Sequence, residues 1–264
     1  RLKSAGPPLE PIPMCSVVIL LRPGHDWPVI VGANRDEMAQ RPWAPPARHW
    51  PDRPQVVAGL DKLAGGSWLG VNDHGVIAAV MNRMNSLGPA PDRRSRGELV
   101  LEALDHADAN EAVKALQDLD SGAYRPFNMV IADSDGAFWL RSLGHKQGWV
   151  EADALTPGVA MVTAYDRNDT TGSLRMRHYL PLFKSAAAPD PAKDDWREWE
   201  ALLSSRAHDA DGNATDAMAI MTDSGFQTVS SSLIALPQPS PKSRARWRFA
   251  AGLPGDVPFE PILT

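Results

Sequence analysis

The run Cys15-Ser-Val-Val-Ile-Leu-Leu21 constrains the fold more than any other part of the sequence. It is apolar and rich in β-branched side chains, and it is too short to stand as a helix, so it reads as a buried strand. Arg22-Pro-Gly-His-Asp-Trp-Pro28 then breaks the chain with turn-forming residues, and Val29-Ile-Val-Gly-Ala33 reads as a second strand. The two strands form a hairpin. The second one ends in four polar residues, Asn34-Arg35-Asp36-Glu37, which the pairing brings back beside Cys15.

The same grammar continues along the chain. Ser67 to Val71 and Val76 to Val80 read as strands joined by a tight turn at Asn72-Asp-His-Gly75. Phe127 to Ala132 and Ala137 to Leu140 form another hairpin, turning at Asp133-Ser-Asp-Gly136. Val159 to Val162, Thr228 to Leu236 and Ala245 to Phe249 are further strands, whereas the Pro- and Trp-rich residues 41–55 read as a long loop. Ser95-Arg-Gly-Glu98 has capping-box spacing before an apolar stripe at Leu99, Leu101, Ala103 and Leu104, which predicts a helix. A second helix is expected from about Asn110 to Leu119, and others over 173–188, 193–206 and 213–221. Hairpins with helices grouped between them point to an α+β fold of antiparallel sheets with helical layers outside. Residues 1–13, with four prolines, read as a disordered leader or extension, and 14–264 as a single domain.

Bulk properties exclude several classes. The formal net charge is −5 and the basic residues are scattered, so no nucleic-acid partner is expected. The cluster Lys242-Ser-Arg-Ala-Arg246 reads as a solvated loop or strand end. One cysteine cannot form an internal disulfide, and residues 1–13 lack the apolar core of a signal peptide, so the expected compartment is cytoplasmic. No apolar run is long enough for an integral membrane segment. The histidines lack zinc-like spacing, no metal is expected, and no Gly-x-Ser-x-Gly elbow is present.

Met14-Cys15 is the pair with the most chemical potential. A thiol is reactive as its thiolate, with a usual pKa near 8.5, and an α-amine titrates near about 8. If Met14 and everything before it is removed, the nitrogen of Cys15 becomes a general base one covalent step from the sulfur. With the upstream peptide attached, that nitrogen is an amide and has no basicity to offer. The alternative is that Cys15 is a small buried hydrophobe. Asp36 could hold the ammonium and Arg35 could depress the thiol pKa, or the tetrad could be an ordinary polar strand end. Asn82 could donate to an oxyanion, or satisfy a turn.

Taken together, Met14-Cys15, Gly32-Ala-Asn-Arg-Asp-Glu37, Arg41-Pro42, Gly59-Leu-Asp61, Gly65-Gly-Ser-Trp-Leu-Gly70, Asn72 and Gly75 resemble the NRDE family, the proteins like transport and Golgi organisation protein 2. Arg96-Gly97-Glu98, Phe127-Asn128 and the Ser-rich strand at Thr228 to Ser232 extend the match. That family in turn resembles the cysteine N-terminal nucleophile hydrolases of the conjugated bile acid hydrolase and penicillin V acylase type. The resemblance implies a four-layer αββα sandwich. It also implies hydrolysis of a non-peptide C–N amide in a small-molecule substrate, with Cys15 as nucleophile, Asp36 as orienting carboxylate and Asn82 in the oxyanion hole. Asn34 and Arg35 complete the implied set, and no cofactor is called for. The chain departs from those hydrolases in two places: Val162-Thr-Ala-Tyr-Asp166 lacks their second asparagine, and the Thr228 strand lacks their late arginine. The alternative function is haem or lipid handling on the same fold, with an apolar ligand among Trp43, Trp50, Trp68 and Leu69, and His74 or Cys15 as axial ligand to a transported haem. The sequence carries no signal for an oligomeric state.

Overall fold

The computed structural model describes residues 15–145, 148–240 and 243–264. The expected leader, Met14 and Lys242 lie outside the described residues. All pairings between strands are antiparallel. One sheet has the order β10 (Gly158–Val162), β1 (Ser16–Leu21), β2 (Val29–Met38), β11 (Phe226–Leu236), β12 (Arg246–Ala250), β13 (Glu260–Ile262). The other is a meander in chain order: β3 (Trp43–Ala47), β4 (Val56–Asp61), β5 (Leu69–Asn72), β6 (Ile77–Asn82), β7 (Phe127–Ala132), β8 (Ala137–Ser142) and β9 (Glu151–Ala154). The helices are α1 (Gly97–Leu104), α2 (Ala109–Gln117), α3 (Leu174–Ser185) and α4 (Arg197–Leu203).

Period-2 alternation builds the layers. On β1, Val17, Ile19 and Leu21 point into the space between the sheets, where they meet Val57, Leu69, Val71, Ile77, Ala79 and Val130. Val18 and Leu20 point the other way, into a cluster with Met176, Tyr179 and Phe183 of α3, Trp199 of α4 and Trp196 just before α4. A third cluster packs Leu99, Leu104, Val113 and Leu116 of α1 and α2 onto the outer face of the meander, against Val56, Ala78, Phe127 and Met129. The stack is therefore helix, sheet, sheet, helix. Burying a large apolar side chain contributes about 1.5–3 kcal/mol, and these three clusters supply most of the cohesion between layers.

Several boundaries differ from the sequence-based expectation, for identifiable reasons. Residues 41–55 contain β3, and its Pro45 and Pro46 are tolerated because the strand is at the edge of the sheet and its register to β4 shifts between Ala44 and Ala47. The capping box at Ser95 does not form. Arg96 occupies the N-cap without a side-chain bond, and the Ser95 hydroxyl accepts from the Gly97 nitrogen at 3.2 Å. The start of α1 is instead pressed against the β4–β5 connection. A Cβ at Gly66 would lie 2.5 Å from the Gly97 carbonyl carbon, and the Ser67 nitrogen donates to the Gly97 oxygen at 3.0 Å. The expected helix at 213–221 is only a short 3-10 turn, Ala214–Asp216, followed by a bend over 217–219. The sequence reading contains no strand at β4, β9 or β13. No helix among the described residues is long and apolar enough to cross a membrane.

Candidate active site

Strand pairing sets the position of Cys15. Ser16 pairs with Asn34, so Cys15 emerges beside Arg35 and Asp36. Its sulfur accepts from the Asp36 nitrogen at 3.4 Å and donates to the Asp36 oxygen at 3.6 Å. The residue is half-buried and lines a cleft of about 640 Å³ with Arg35, Trp68, Asn82, Arg96 and Phe226. Loss of water around the sulfur, followed by the negative charge of Asp36, pushes the thiol pKa up to about 11, against the bond from the Asp36 backbone and the charge of Arg35. With Met14 attached, the nitrogen of Cys15 is a peptide nitrogen. The thiol in this state has a cleft in front of it, and its hydrogen bonds among the described residues are to the Asp36 backbone.

The four residues of the tetrad lie within β2, which runs on to Met38, and do not follow it. Alternation therefore sends neighbours to opposite faces. Arg35 points between the sheets, where its guanidinium carbon lies 4.1 Å from the Trp68 ring centroid and Nη2 lies 3.6 Å from Asp61. Its Nη1 is buried without a partner among the described residues. Burial lowers its pKa. Gly59 makes room for this stack, since a Cβ there would sit 2.3 Å from the Trp68 ring.

Asp36 points the opposite way, into the helical layer. One carboxylate oxygen accepts from Arg175 Nη1 at 3.0 Å and the other from the Thr228 hydroxyl at 2.6 Å. Arg175, in the first turn of α3, also donates to the Ser16 hydroxyl at 2.7 Å and to the Thr215 carbonyl at 3.0 Å. Burial raises the Asp36 carboxyl pKa, while Arg175 and Thr228 oppose the rise. Cys15 thus touches the backbone of Asp36, and the carboxylate serves a buried hub behind the strand. Sequence reasoning missed Arg175. Its only sequence signal is an arginine beside Leu174 and Met176 at a helix start.

Asn34 shares the outward parity of Asp36. Its amide donates to the Leu203 and Met218 carbonyls, each at 2.9 Å, and its oxygen accepts from Ser231 at 2.6 Å. Its polar side-chain atoms tie β2 to the end of α4, to the Met218 segment and to β11, and none of them is spent on the thiol. Asn82, at the end of β6, opens on the cleft and makes no side-chain hydrogen bond among the described residues. Asn168, which follows the segment that lacks the hydrolases' second asparagine, has φ of 57° and accepts from the Met161 nitrogen at 2.8 Å, so it serves a turn. That segment is held from below by Asn128, which donates to the Thr163 and Tyr165 carbonyls at 2.7 Å each.

The alternative ligand site is not assembled in one place. Trp43 and Trp68 meet edge to face at 5.9 Å on the inter-sheet core, but Trp50 packs with the outer cluster of α1 and α2. Cys15 and His74 line different hollows. That of His74 includes Asn72, Gly75, Leu236 and Arg244. No group of three or more metal-binding side chains occurs among the described residues.

Comparison with known proteins agrees with this architecture. An N-acylethanolamine-hydrolyzing acid amidase ortholog from Caenorhabditis elegans superposes with a TM-score of 0.55 at 14% identity, over 87% of this chain and 95% of that one. The likeness is one of fold: the four-layer sandwich of the N-terminal nucleophile hydrolases. In sequence, the transport and Golgi organization 2 homolog of Mus musculus is 35% identical over 135 residues, covering 49% of this chain and 48% of that protein. The human homolog is 34% identical over 111 residues, covering 40% of this chain and 38% of that protein. The alignments thus span half or less of the curated relatives' length. The pattern that describes the Transport and Golgi organisation 2 family matches residues 14–186. By that match across most of its length, the chain belongs to the Transport and Golgi organisation 2 family.

Proposed function

We propose that the chain is an amide hydrolase of the N-terminal nucleophile type, active once Cys15 carries a free amine. The observation that carries this reading is the thiol of Cys15, held 3.4 Å from the Asp36 nitrogen at the mouth of a cleft that Asn82 and Arg35 also line. The fold it shares with an N-acylethanolamine-hydrolyzing amidase supports the same class of chemistry.

In this mechanism the sulfur attacks the amide carbonyl carbon, forming the C–S bond, and the α-amine of Cys15 takes the thiol proton. The oxyanion is met by donors on the cleft wall, with Asn82 Nδ2 the side-chain donor. The resulting ammonium gives its proton to the leaving nitrogen as the C–N bond breaks. Water then attacks the thioester, the amine accepts its proton, and the thiolate departs to regenerate the enzyme. The role of Asp36 is to fix the first residue: its backbone grips the sulfur, and its carboxylate, locked by Arg175, keeps β1 and β2 in register. No cofactor enters any step. The reaction is assigned to the cytoplasm, in keeping with a chain whose one cysteine is a free thiol.

The test is a comparison of protein starting at Cys15 with protein retaining the upstream peptide, using an N-acylethanolamine as first probe amide. The expected result is turnover and a trapped acyl-thioester mass only in the former, lost in Cys15→Ala. Equal turnover in both forms, or turnover that survives Cys15→Ala, would remove the mechanism.

A further inference from the structure

The sandwich has a second hollow at the end opposite Cys15. Strand β2 begins at Val29, which pairs with Leu21 on one side and Leu236 on the other, and reaches Asn34 beside Ser16 five residues later. Five strand residues span about 17 Å, so this end lies well away from the thiol. Here the turn between β5 and β6 faces the loop between β11 and β12 across a cavity of about 460 Å³. Small-molecule sites occupy about 300–1,000 Å³. Val57, Val71 and Leu236, which belong to the core between the sheets, form the apolar part of the lining, and Pro237 and Pro239 add rigid apolar surface.

Both walls are held by bonds that need no ligand. Asn72 donates to the Leu104 and His106 carbonyls at 2.9 and 2.7 Å and accepts from the His74 and Val76 nitrogens at 3.1 and 2.9 Å. Gly75, with φ of 86°, completes that turn. On the facing loop, the Gln238 nitrogen donates to the Asp26 carbonyl at 2.9 Å and its side chain to the His25 carbonyl at 3.1 Å. The Ser243 hydroxyl donates to the Gln238 carbonyl at 2.8 Å. The hollow is thus preformed, and a ligand entering it does not have to order its walls.

The charges on the lining do not cancel. Asp73 is engaged by Arg48 through bonds of 2.7 and 3.2 Å. Arg244 is exposed and has no carboxylate partner among the described residues; its Nη1 donates to the Ser243 carbonyl at 2.8 Å, which leaves Nε and Nη2 available. The His74 ring and the Ser134 hydroxyl line the same hollow and make no hydrogen bond among the described residues.

We propose that this hollow is a second binding site, for a rigid aromatic monoanion whose acid group meets Arg244 beside His74 and Ser134 and whose rings cover Val71, Leu236 and the two prolines. The planar fork of a guanidinium matches an acid group in shape and charge. A single negative charge fits one guanidinium without a counter-ion, because Asp73 and Arg48 neutralise each other. A flat ring system suits walls that are already fixed, since neither side loses rotamer freedom on binding. The assignment makes no use of Cys15 and does not rest on the hydrolase reading.

The experiment is a fluorescence titration of the full chain with 8-anilinonaphthalene-1-sulfonate and with N-phenyl-1-naphthylamine, which has the same rings and no charge. The sulfonate is expected to fill one site per chain and to bind roughly tenfold or more tightly than the amine, as charge-assisted pairs allow. Arg244→Gln should remove most of that preference, and adding His74→Gln should bring the two probes to parity. Arg96→Gln, in the cleft of Cys15, should leave both affinities unchanged. Near-ultraviolet circular dichroism checks that each variant is folded, because the sulfonate also lights up loosened chains. No saturable binding, equal affinities for the two probes, a preference that survives the double substitution, or one lost in Arg96→Gln would each overturn the proposal.

Discussion

The sulfur of Cys15 lies 3.4 Å from the backbone nitrogen of Asp36, while the carboxylate of Asp36 points to the opposite face of the strand. The thiol is therefore placed by main-chain contacts, and its proton affinity is set by burial and by the field of a charge it does not touch.

That arrangement predicts a slow thiol as long as the upstream peptide is attached. With a pKa of about 11, only about one sulfur in a thousand is ionised at pH 8. Alkylation of Cys15 by iodoacetamide should rise about tenfold per pH unit through pH 10. In protein starting at Cys15 the profile should bend near pH 8, where an α-amine titrates. A plateau below pH 8 in the longer chain would contradict the burial argument.

Asn82 makes no side-chain hydrogen bond among the described residues and faces the cleft. Asn82→Ala should leave the melting temperature nearly unchanged. In the hydrolase reading it should lower kcat about 10²- to 10³-fold with little effect on KM. Steady-state kinetics decides, and an unchanged kcat would take Asn82 out of the oxyanion hole.

Arg175 carries the balancing charge for a carboxylate that is fully out of solvent. Arg175→Met should cost about 3–5 kcal/mol in denaturant unfolding, because Asp36 is left as a lone buried charge. Burial already lifts the folded-state pKa of Asp36, and losing Arg175 lifts it further. Protonation then favours the folded form, so the deficit should shrink as the pH falls through that raised pKa. Adding Asp36→Asn should recover part of the loss at neutral pH. A deficit that does not change with pH would place the cost elsewhere.

Much of the site was legible in β1 and β2. The β-branched run at Val17 to Ile19 announced the hairpin, and its pairing placed Cys15 beside Asp36. What the tetrad lacked was parity. Read as a strand end, Asn34, Arg35 and Asp36 all appear available to the thiol; read as strand, only Arg35 shares its face. The partner of Asp36 was invisible because Arg175 lies 139 residues away in sequence, and nothing local marks an ion pair at that range. The segment 213–221 looked helical because Ala214, Ala217, Met218 and Ala219 favour helix. Tertiary demand overrides that preference. The Thr215 carbonyl accepts from Arg175 and the Met218 carbonyl from Asn34, and a helix would have consumed such acceptors internally.

Gly59 is a steric requirement of the Trp68–Arg35 stack. Gly59→Ala should force the indole aside, destabilise the fold by about 1–3 kcal/mol and shift the tryptophan emission. An unaltered spectrum with full stability would show that the ring has room to spare.

The opposed projection of Arg35 and Asp36 also bears on how this stretch can change in length. Losing or gaining one codon between Gly32 and Arg35 would turn the strand over, sending a cation toward the hydrophobic helices and a carboxylate under the sulfur. Such a chain would misplace both charges at once, so this strand can vary by exchange of side chains but not by single-residue insertion or deletion.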